Sequence, residues 1–184
     1  IVGAMSISIG GCSNALTPGP AATITPSGRW SPETQSASSI ADFACGVPAH
    51  AIDYNGHMNV AAYAQVLTDA NELFLDALGL SASYRETTGC AMYTVEITIK
   101  FLHEVNADDT ITAESRVASH DAKRLRVHST LRVGDTDVAT GDSLYLHVDT
   151  KAGKVTAFPD DRAAVLANTQ SQNAQSHDEA PASD

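Results

Sequence analysis

The spacing of the apolar residues changes abruptly along the chain, and this change is the strongest constraint on the fold. Between Val60 and Leu78, apolar side chains recur every three or four residues, which is typical of an α-helix with one buried face. From Tyr93 onward, apolar and polar residues alternate, which is typical of β-strands with one buried face. The sequence therefore predicts one long helix followed by a sheet.

The ends and the width of the predicted helix are also marked in the sequence. Asn59 is a residue type that favours the N-cap position, and Gly79 favours the turn that ends a helix. Small residues at 61, 62 and 64 widen the apolar stripe. A helix with such a wide stripe is expected to be wrapped by other structure.

The alternating region divides into four predicted strands joined by short turns at residues 108–109, 120–122 and 134–135. Such short connections imply antiparallel neighbours. Residues 46–52 form a fifth candidate strand in spite of Pro48, and residues 160–167 a short final helix. An α+β fold, with a five-stranded antiparallel sheet wrapped around one central helix, buries the apolar faces of both elements.

The two ends of the chain differ in composition from this central part. Of the first 40 residues, 26 are Gly, Ala, Ser, Thr or Pro, and residues 168–184 contain no large apolar side chain. Such segments bury too little apolar surface to offset the entropy of ordering. We therefore expect disorder in residues 1–43 and 168–184, and one folded domain over residues 44–167.

Charge and cysteine content exclude several classes of protein. The formal net charge is -11, which disfavours nucleic acid as a partner because phosphates require a basic surface. No apolar run approaches the ~20 residues that cross a bilayer, so no membrane association is expected. Cys12, Cys45 and Cys90 fit neither a disulfide framework nor a zinc site. These features predict a cytoplasmic protein without a metal or other cofactor.

Residues 53–63 combine an acid, two amides, a glycine and a histidine in the turn that opens the helix. Free backbone N–H groups at a helix start can hold a developing oxyanion, and Asp53 can act as a nucleophile or as a base on water. An Asx-turn followed by an N-cap explains Asp53, Asn55 and Asn59 equally well without any catalytic role.

The segment Asp53-Tyr54-Asn55-Gly56-His57-Met58-Asn59-Val60, together with Tyr63, resembles the active-site segment of hotdog-fold acyl-CoA thioesterases of the 4-hydroxybenzoyl-CoA thioesterase-like group. The similarity continues at residues 95–96, 101–105, 121–124 and 147–149. The helix and the Phe-Leu-x-Glu-Val stretch look most like thioesterases of carnitine and betaine catabolism, some of which are fused to a dehydrogenase.

The resemblance implies a hotdog fold and roles for individual residues of the turn. Asp53 matches the catalytic acid, which activates water or attacks the thioester. Backbone N–H groups near Gly56 and His57 are implied to hold the carbonyl oxygen. Asn55 and His57 match polar positions that orient water or substrate. The remaining positions, of which Asn59 is expected to be mainly structural, shape the pocket: Met58, Asn59 and Tyr63.

Two further groups of residues have a functional and a purely structural interpretation. Glu96 matches an acidic position in some relatives of this family, and its strand parity places it on the sheet face away from the helix. It either lines a site at a dimer interface or lies on a solvated face. Three basic residues, Lys123, Arg124 and Arg126, either contact the phosphates of CoA or form cross-strand pairs on a solvated face.

The resemblance implies hydrolysis of a small acyl-CoA thioester, with betainyl-CoA as a candidate substrate. It also implies a homodimer or a dimer of dimers, with the active site at the subunit interface. Since an architecture does not determine a reaction, two alternatives remain. One is a hydratase or dehydratase on the same fold, and the other is a non-catalytic acyl-CoA-binding dimer.

Overall fold

The computed structural model describes the backbone of residues 43–178 and the side chains of residues 43–173. The predicted disorder of residues 1–42 and 179–184 therefore lies outside the described residues. The strands are β1 (Phe43–Gly46), β2 (Cys90–Phe101), β3 (Thr110–His120), β4 (Arg124–Val133), β5 (Thr136–Asp149) and β6 (Lys154–Val155). The helices are α1 (Val60–Ala77), α2 (Ala82–Thr88) and α3 (Asp160–Asp178), and one 3₁₀ turn spans Ala49–Ala51.

The strands form one antiparallel sheet in the order β1-β3-β4-β5-β2. The two-residue strand β6 pairs with the end of β5 and is an addition to the five predicted strands. Helix α1 lies on one face of this sheet, with Leu67 and Phe74 almost completely buried. The structure thus confirms the predicted α+β architecture, a sheet curled around one long helix.

A polar row beneath α1 fixes the position of the helix along the sheet. The Asn71 side chain is 2% exposed, and its amide nitrogen donates to the Ser143 hydroxyl at 3.0 Å. Its amide oxygen accepts from the hydroxyls of Ser129 at 2.8 Å and Ser115 at 3.5 Å. One helix residue is thereby bonded to three adjacent strands, so a slide of the helix would leave buried polar groups unpaired.

A close approach one turn earlier reinforces this register. Leu67 packs directly on Gly141, where a Cβ atom would lie 2.7 Å from the nearest Leu67 side-chain carbon. Residue 141 must therefore be a glycine for Leu67 to pack in this position. Together, the Leu67–Gly141 contact and the Asn71 hydrogen bonds hold the first turn of α1 at the Phe101 end of β2.

Several element boundaries differ from the sequence-based prediction. The strand predicted over residues 46–52 is wrong: β1 ends at Gly46, and Pro48, which cannot donate to a strand ladder, precedes the 3₁₀ turn. Phe43 belongs to β1 and not to a disordered segment. Helix α3 continues to Asp178 rather than 167, with Leu166 and Thr169 buried. Helix α2 was not predicted.

A β-bulge in β2 alters the parity of that strand. The pairing with β5 shifts register between Thr94 and Glu96. Ile97 and Phe101 therefore share a sheet face with α1, whereas Tyr93 pairs with Leu146 on the opposite face. The expectation that Glu96 faces away from the helix is confirmed, but Tyr93 lies on that same outer face.

Within the described part of the chain, no helix is both long enough and apolar enough to cross a membrane.

The polar row predicts a large loss of stability for Asn71→Ala. Removal of the amide takes away the donor to the buried Ser143 hydroxyl and the acceptor of the buried Ser129 hydroxyl, which retains only Ser115, so the free energy of unfolding should fall by about 1–3 kcal/mol. Urea denaturation measures this change. Asp76→Ala, on an exposed position of the same helix, is the control and should change stability by less than about 0.5 kcal/mol. Equal stabilities of the two variants would contradict the assigned role of Asn71.

Candidate active site

Backbone hydrogen bonds close the turn between β1 and α1 into a tight loop. The Asp53 amide donates to the His57 carbonyl at 2.9 Å, and the Gly56 amide donates to the Asp53 carbonyl at 3.1 Å. Gly56 has a φ of 86°, a left-handed conformation that a side chain would strain. The sequence Asn-Gly at this point thus closes a tight loop and brings Asp53 and His57 together.

Asp53 is half-buried, and Asn55 orients its carboxylate. The Asn55 backbone amide donates to one carboxylate oxygen at 2.7 Å, and the Asn55 side-chain amide donates to the other at 3.4 Å. This is the Asx-turn considered as a structural alternative. It fixes the carboxylate but still leaves acceptor capacity on both oxygens.

Asn59 joins the turn to the helix, which confirms its predicted N-cap role. Its side-chain oxygen accepts from the Ala62 amide at 3.0 Å. Its side-chain nitrogen and its backbone amide both donate to the Ala51 carbonyl, at 2.7 and 2.8 Å. Asn59 therefore fixes the direction in which the chain enters α1.

Several backbone amides at the start of α1 and in the turn before it are free of hydrogen bonds to described residues. The amides of Ala62 and Tyr63 bond to Asn59, whereas those of His57, Val60 and Ala61 donate to no acceptor in the described part of the protein. The first amides of a helix, together with the helix dipole, favour negative charge. The turn therefore presents a fixed carboxylate beside a group of free amides that favours negative charge.

The turn and the end of β2 enclose a pocket of about 290 Å³. The Met58 amide donates to the Val105 carbonyl at 2.8 Å, which ties the turn to the segment after β2. The pocket is lined by Asp53, Asn55, His57, Met58, Val60, Tyr63, Phe101, Leu102, His103 and Glu104.

Tyr63 and Phe101 form one wall of the pocket. Their rings meet edge to face with centroids 5.0 Å apart, and the Tyr63 hydroxyl donates to the His103 carbonyl at 3.3 Å. Burial raises the pKa of the Tyr63 phenol, and the carboxylates of Glu104 and Asp109 add to this rise. Tyr63 therefore remains protonated and acts as a hydrogen-bond donor.

His57 and Glu104 form a polar pair at the edge of the pocket. The His57 Nε2 atom lies 3.2 Å from a Glu104 carboxylate oxygen. This contact orients the imidazole between the turn and the chain after β2. Glu104 belongs to the Phe-Leu-x-Glu-Val stretch but was not predicted as a site residue. It lies far from the turn in the sequence, so no local pattern indicates its contact with His57.

Not all sequence-predicted site residues come together in this pocket. Glu96 lies on the opposite sheet face, 3.5 Å from the Arg126 guanidinium. Arg124 pairs with Asp121 in the turn before β4, and Lys123 is exposed beside it. Lys123 and Arg124 lie toward the Cys90 end of the sheet, whereas Arg126 is in register with Leu144 and Glu96 near the middle of β2. Asp53 lies at the Phe101 end. In one subunit, Lys123 and Arg124 are thus separated from the carboxylate by most of the length of β2.

Comparison with known proteins places these features in a family. Residues 47–166 match the model of the thioesterase-like superfamily. An Agrobacterium fabrum L-carnitine dehydrogenase/betainyl-CoA thioesterase is 47% identical over 109 residues, which are 59% of this chain and 22% of that protein. A Pseudomonas aeruginosa betainyl-CoA thioesterase is 31% identical over 99 residues, 53% of this chain and 62% of that protein.

A solved structure shows the same fold. A hypothetical protein from Staphylococcus aureus, determined in complex with CoA, superposes with a TM-score of 0.68 at 25% sequence identity. The superposition covers 75% of this chain and 89% of that chain. By contrast, this chain spans less than two thirds of the length of the curated relatives that it matches.

The double role of Asn59 separates two variants at this position. Asn59→Ala removes both the cap and the tie to Ala51, so unfolding free energy should fall by about 1–2 kcal/mol. Asn59→Asp keeps an acceptor for the Ala62 amide but cannot donate to Ala51, so it should recover only part of the loss. Thermal and urea denaturation measure both variants. Full stability of Asn59→Ala would contradict the assigned role.

Proposed function

Because the chain belongs to the thioesterase-like superfamily, we propose that it hydrolyses an acyl-CoA thioester to a free acid and CoA. The observation that carries this proposal is the Asp53 carboxylate, held by Asn55 beside the unpaired amides of the α1 start. The names of the Agrobacterium fabrum and Pseudomonas aeruginosa relatives support betainyl-CoA as the substrate. The acyl group would then be trimethylammonioacetyl, a small cation.

In the proposed reaction, Asp53 activates water at the thioester carbonyl. The carboxylate accepts a proton as the water oxygen bonds to the carbonyl carbon, and the carbonyl oxygen becomes an oxyanion. The amides of His57, Val60 and Ala61 stabilise this charge. Collapse of the tetrahedral intermediate breaks the carbon–sulfur bond, and the CoA thiolate leaves and takes up a proton.

The same carboxylate also allows a covalent route. Direct attack of Asp53 on the carbonyl carbon forms a mixed anhydride and releases CoA, after which water hydrolyses the anhydride. Both routes require an ionised Asp53 and a stabilised oxyanion. Asn55 orients the carboxylate, and His57, held by Glu104, is placed to bind water or the substrate. Met58 and Tyr63 shape the pocket.

Replacement of the carboxylate tests its role. Asp53→Asn retains the size of the side chain but removes its basicity and most of its nucleophilicity. We expect turnover of an active acyl-CoA to fall by about 10²–10³, the usual effect of losing one well-placed catalytic group. Release of CoA, followed with a thiol reagent, measures the rate on short, quaternary-ammonium, aromatic and long-chain acyl-CoAs.

Asp108→Asn provides the matched control, because Asp108 is an exposed acid outside the pocket and should retain wild-type turnover. Wild-type rates of Asp53→Asn on every active substrate would refute its assignment. Failure of the wild-type protein to release thiol from any of these acyl-CoAs would refute hydrolysis itself, in favour of a hydratase, a dehydratase or a binding protein.

We further propose that the protein is a homodimer formed through β2. This strand lies at one edge of the sheet and exposes an unusual number of large apolar side chains. Between 39% and 52% of the surface of each of these residues is accessible: Tyr93, Val95, Ile97 and Phe101 in β2, and Leu102 directly after it. An exposed apolar edge strand is a surface for strand pairing. Antiparallel pairing of β2 with the β2 of a second subunit would bury this apolar edge and relate the two subunits by a two-fold axis.

Such a two-fold axis would place the Cys90 end of one sheet beside the Phe101 end of the other. The basic residues Lys123, Arg124 and Arg126 would then approach the Asp53 pocket of the partner subunit. We propose that these residues contact the phosphates of CoA across the interface. Their local pairs with Asp121 and Glu96 are largely exposed and are therefore weak enough to exchange for a phosphate.

A charge placed on the edge strand tests the dimer. Val95→Lys removes apolar surface from both subunits and places two like charges near the axis. The dissociation constant of the dimer should rise by about tenfold or more, because each buried valine contributes roughly 1.5 kcal/mol. Sedimentation equilibrium measures it. Val155→Lys, a change at a similarly exposed valine on β6, is the control and should leave the dimer intact. A wild-type protein that is monomeric at micromolar concentration would contradict the proposal.

A further inference from the structure

A second cavity lies on the same sheet face as α1, at the end of β2 distant from Asp53. It is a cleft of about 500 Å³ between the second half of α1, helix α2 and the first half of β2. The residues on which the argument rests are Glu72, Leu75, Arg85, Met92, Thr94 and Tyr145. None of them lines the Asp53 pocket.

A two-fold axis through β2 would bring the cleft of one subunit next to the Asp53 pocket of the other. The Asp53 pocket uses residues 101–104 at one end of β2, and the cleft uses residues 91–94 at the other end. In the proposed dimer, we place the axis between Ile97 and Thr98, near the centre of the exposed apolar stretch of β2. Two residues then lie opposite each other across the axis when their numbers add up to 195. Residues 91–94 of one subunit then face residues 101–104 of the other. The cleft would thus open directly onto the Asp53 pocket of the partner subunit.

The chemistry of the cleft suits a cation that has no hydrogen to donate. Leu75 and Met92 provide apolar surface, and Glu72 is an exposed carboxylate without an ion-pair partner among the described residues. A quaternary ammonium requires a negative charge and apolar or aromatic walls, because it forms no conventional hydrogen bonds.

Tyr145 indicates where the negative charge acts within the cleft. Burial raises the pKa of the Tyr145 phenol, and the carboxylate of Glu72 adds to this rise. Glu72 is therefore close enough to Tyr145 for its field to reach the phenol. The cleft is also lined by Arg85, an exposed cation on α2. The Glu72 side of the cleft thus places a carboxylate within electrostatic reach of an aromatic ring.

We propose that Glu72 of the partner subunit is the counter-ion that selects acyl-CoAs with a quaternary ammonium in the acyl group. This inference rests on the proposed thioesterase function, since it concerns the acyl end of the same site. Asp53 and the α1 amides hold the reacting carbonyl from one subunit. The cleft of the second subunit, with Glu72 and Tyr145, receives the trimethylammonium group.

A pair of substrates with the same shape isolates the charge. Betainyl-CoA and 3,3-dimethylbutyryl-CoA differ only by the exchange of a quaternary nitrogen for a quaternary carbon. Glu72→Gln keeps the size of the side chain and removes its charge. We expect the ratio of kcat/KM for the cationic substrate to that for the neutral substrate to fall by about tenfold, mainly through KM. Turnover of the neutral substrate should remain near the wild-type level.

Asp76→Asn is the matched control, because Asp76 is an exposed carboxylate on the same helix that lies outside the cleft. It changes the net charge by the same amount and should leave the ratio unchanged. An unchanged ratio in Glu72→Gln would overturn the inference, and so would an equal fall in both variants. Equal losses on the two substrates would also overturn it, because they would indicate a structural rather than a charge-selective role.

A mixed dimer tests the contribution across the interface. Two differently tagged chains, one with Asp53→Asn and one with Glu72→Gln, are co-expressed, and the heterodimer is purified through both tags. If Glu72 acts on the partner's site, one of the two sites regains both native residues. At betainyl-CoA concentrations well below KM, where rates report kcat/KM, about half of the wild-type activity should then return per dimer. Activity no greater than the mean of the two parent homodimers would overturn the arrangement across the interface.

The wild-type protein separates failure of this inference from failure of the proposed function. Hydrolysis of 3,3-dimethylbutyryl-CoA and other neutral acyl-CoAs without preference for betainyl-CoA would retain the thioesterase and overturn the cation subsite. An absence of thiol release from every substrate would refute both. A preference for betainyl-CoA that survives in Glu72→Gln would retain the function and overturn only the role of Glu72.

Discussion

The hydrogen bonds of Asn71 to Ser143 and Ser129 set the position of α1 on the sheet, and the rest of the site depends on that position. A helix that packs only through leucines can slide along a sheet at little cost, because apolar contacts are not directional. A buried amide that must meet hydroxyls from adjacent strands permits one register. That register places the first turn of α1 beside Phe101, where Tyr63 and the Asp53 turn complete the pocket.

The same helix would serve two sites in the proposed dimer. Its first turn would provide amides for the oxyanion of one site, while Glu72, three turns further along, lines a cleft at the other end of β2. A two-fold axis through an edge strand reverses the ends of the sheet, so each active site would receive the start of one helix and the middle of the other. The exposed apolar edge of β2, a liability in a monomer, is therefore the element that unites the two cavities.

Local sequence patterns predicted what local interactions determine. The helix, its Asn59 cap and the Asp53–Gly56 turn depend on neighbours within a few residues, and these predictions were confirmed. The bulge at Val95 was missed because Tyr93, Val95 and Ile97 still alternate in the sequence, although the pairing with β5 shifts there. The contact of Glu104 with His57 depends on the pairing of Met58 with Val105, which no local pattern reveals.

The negative charge of the chain has opposite effects on the two ends of the proposed substrate. An acidic chain with a net charge of -11 repels an anionic CoA at long range. The predicted basic patch offsets this less than its sequence suggests, since Asp121 and Glu96 already pair with Arg124 and Arg126. At the acyl end of the ligand, a cationic group would be attracted by the same negative charge that repels CoA. In the proposed site, the negative groups that disfavour CoA, Asp53 and Glu72 among them, would attract a trimethylammonium, so an acidic pocket would gain affinity for cationic acyl-CoAs relative to neutral ones.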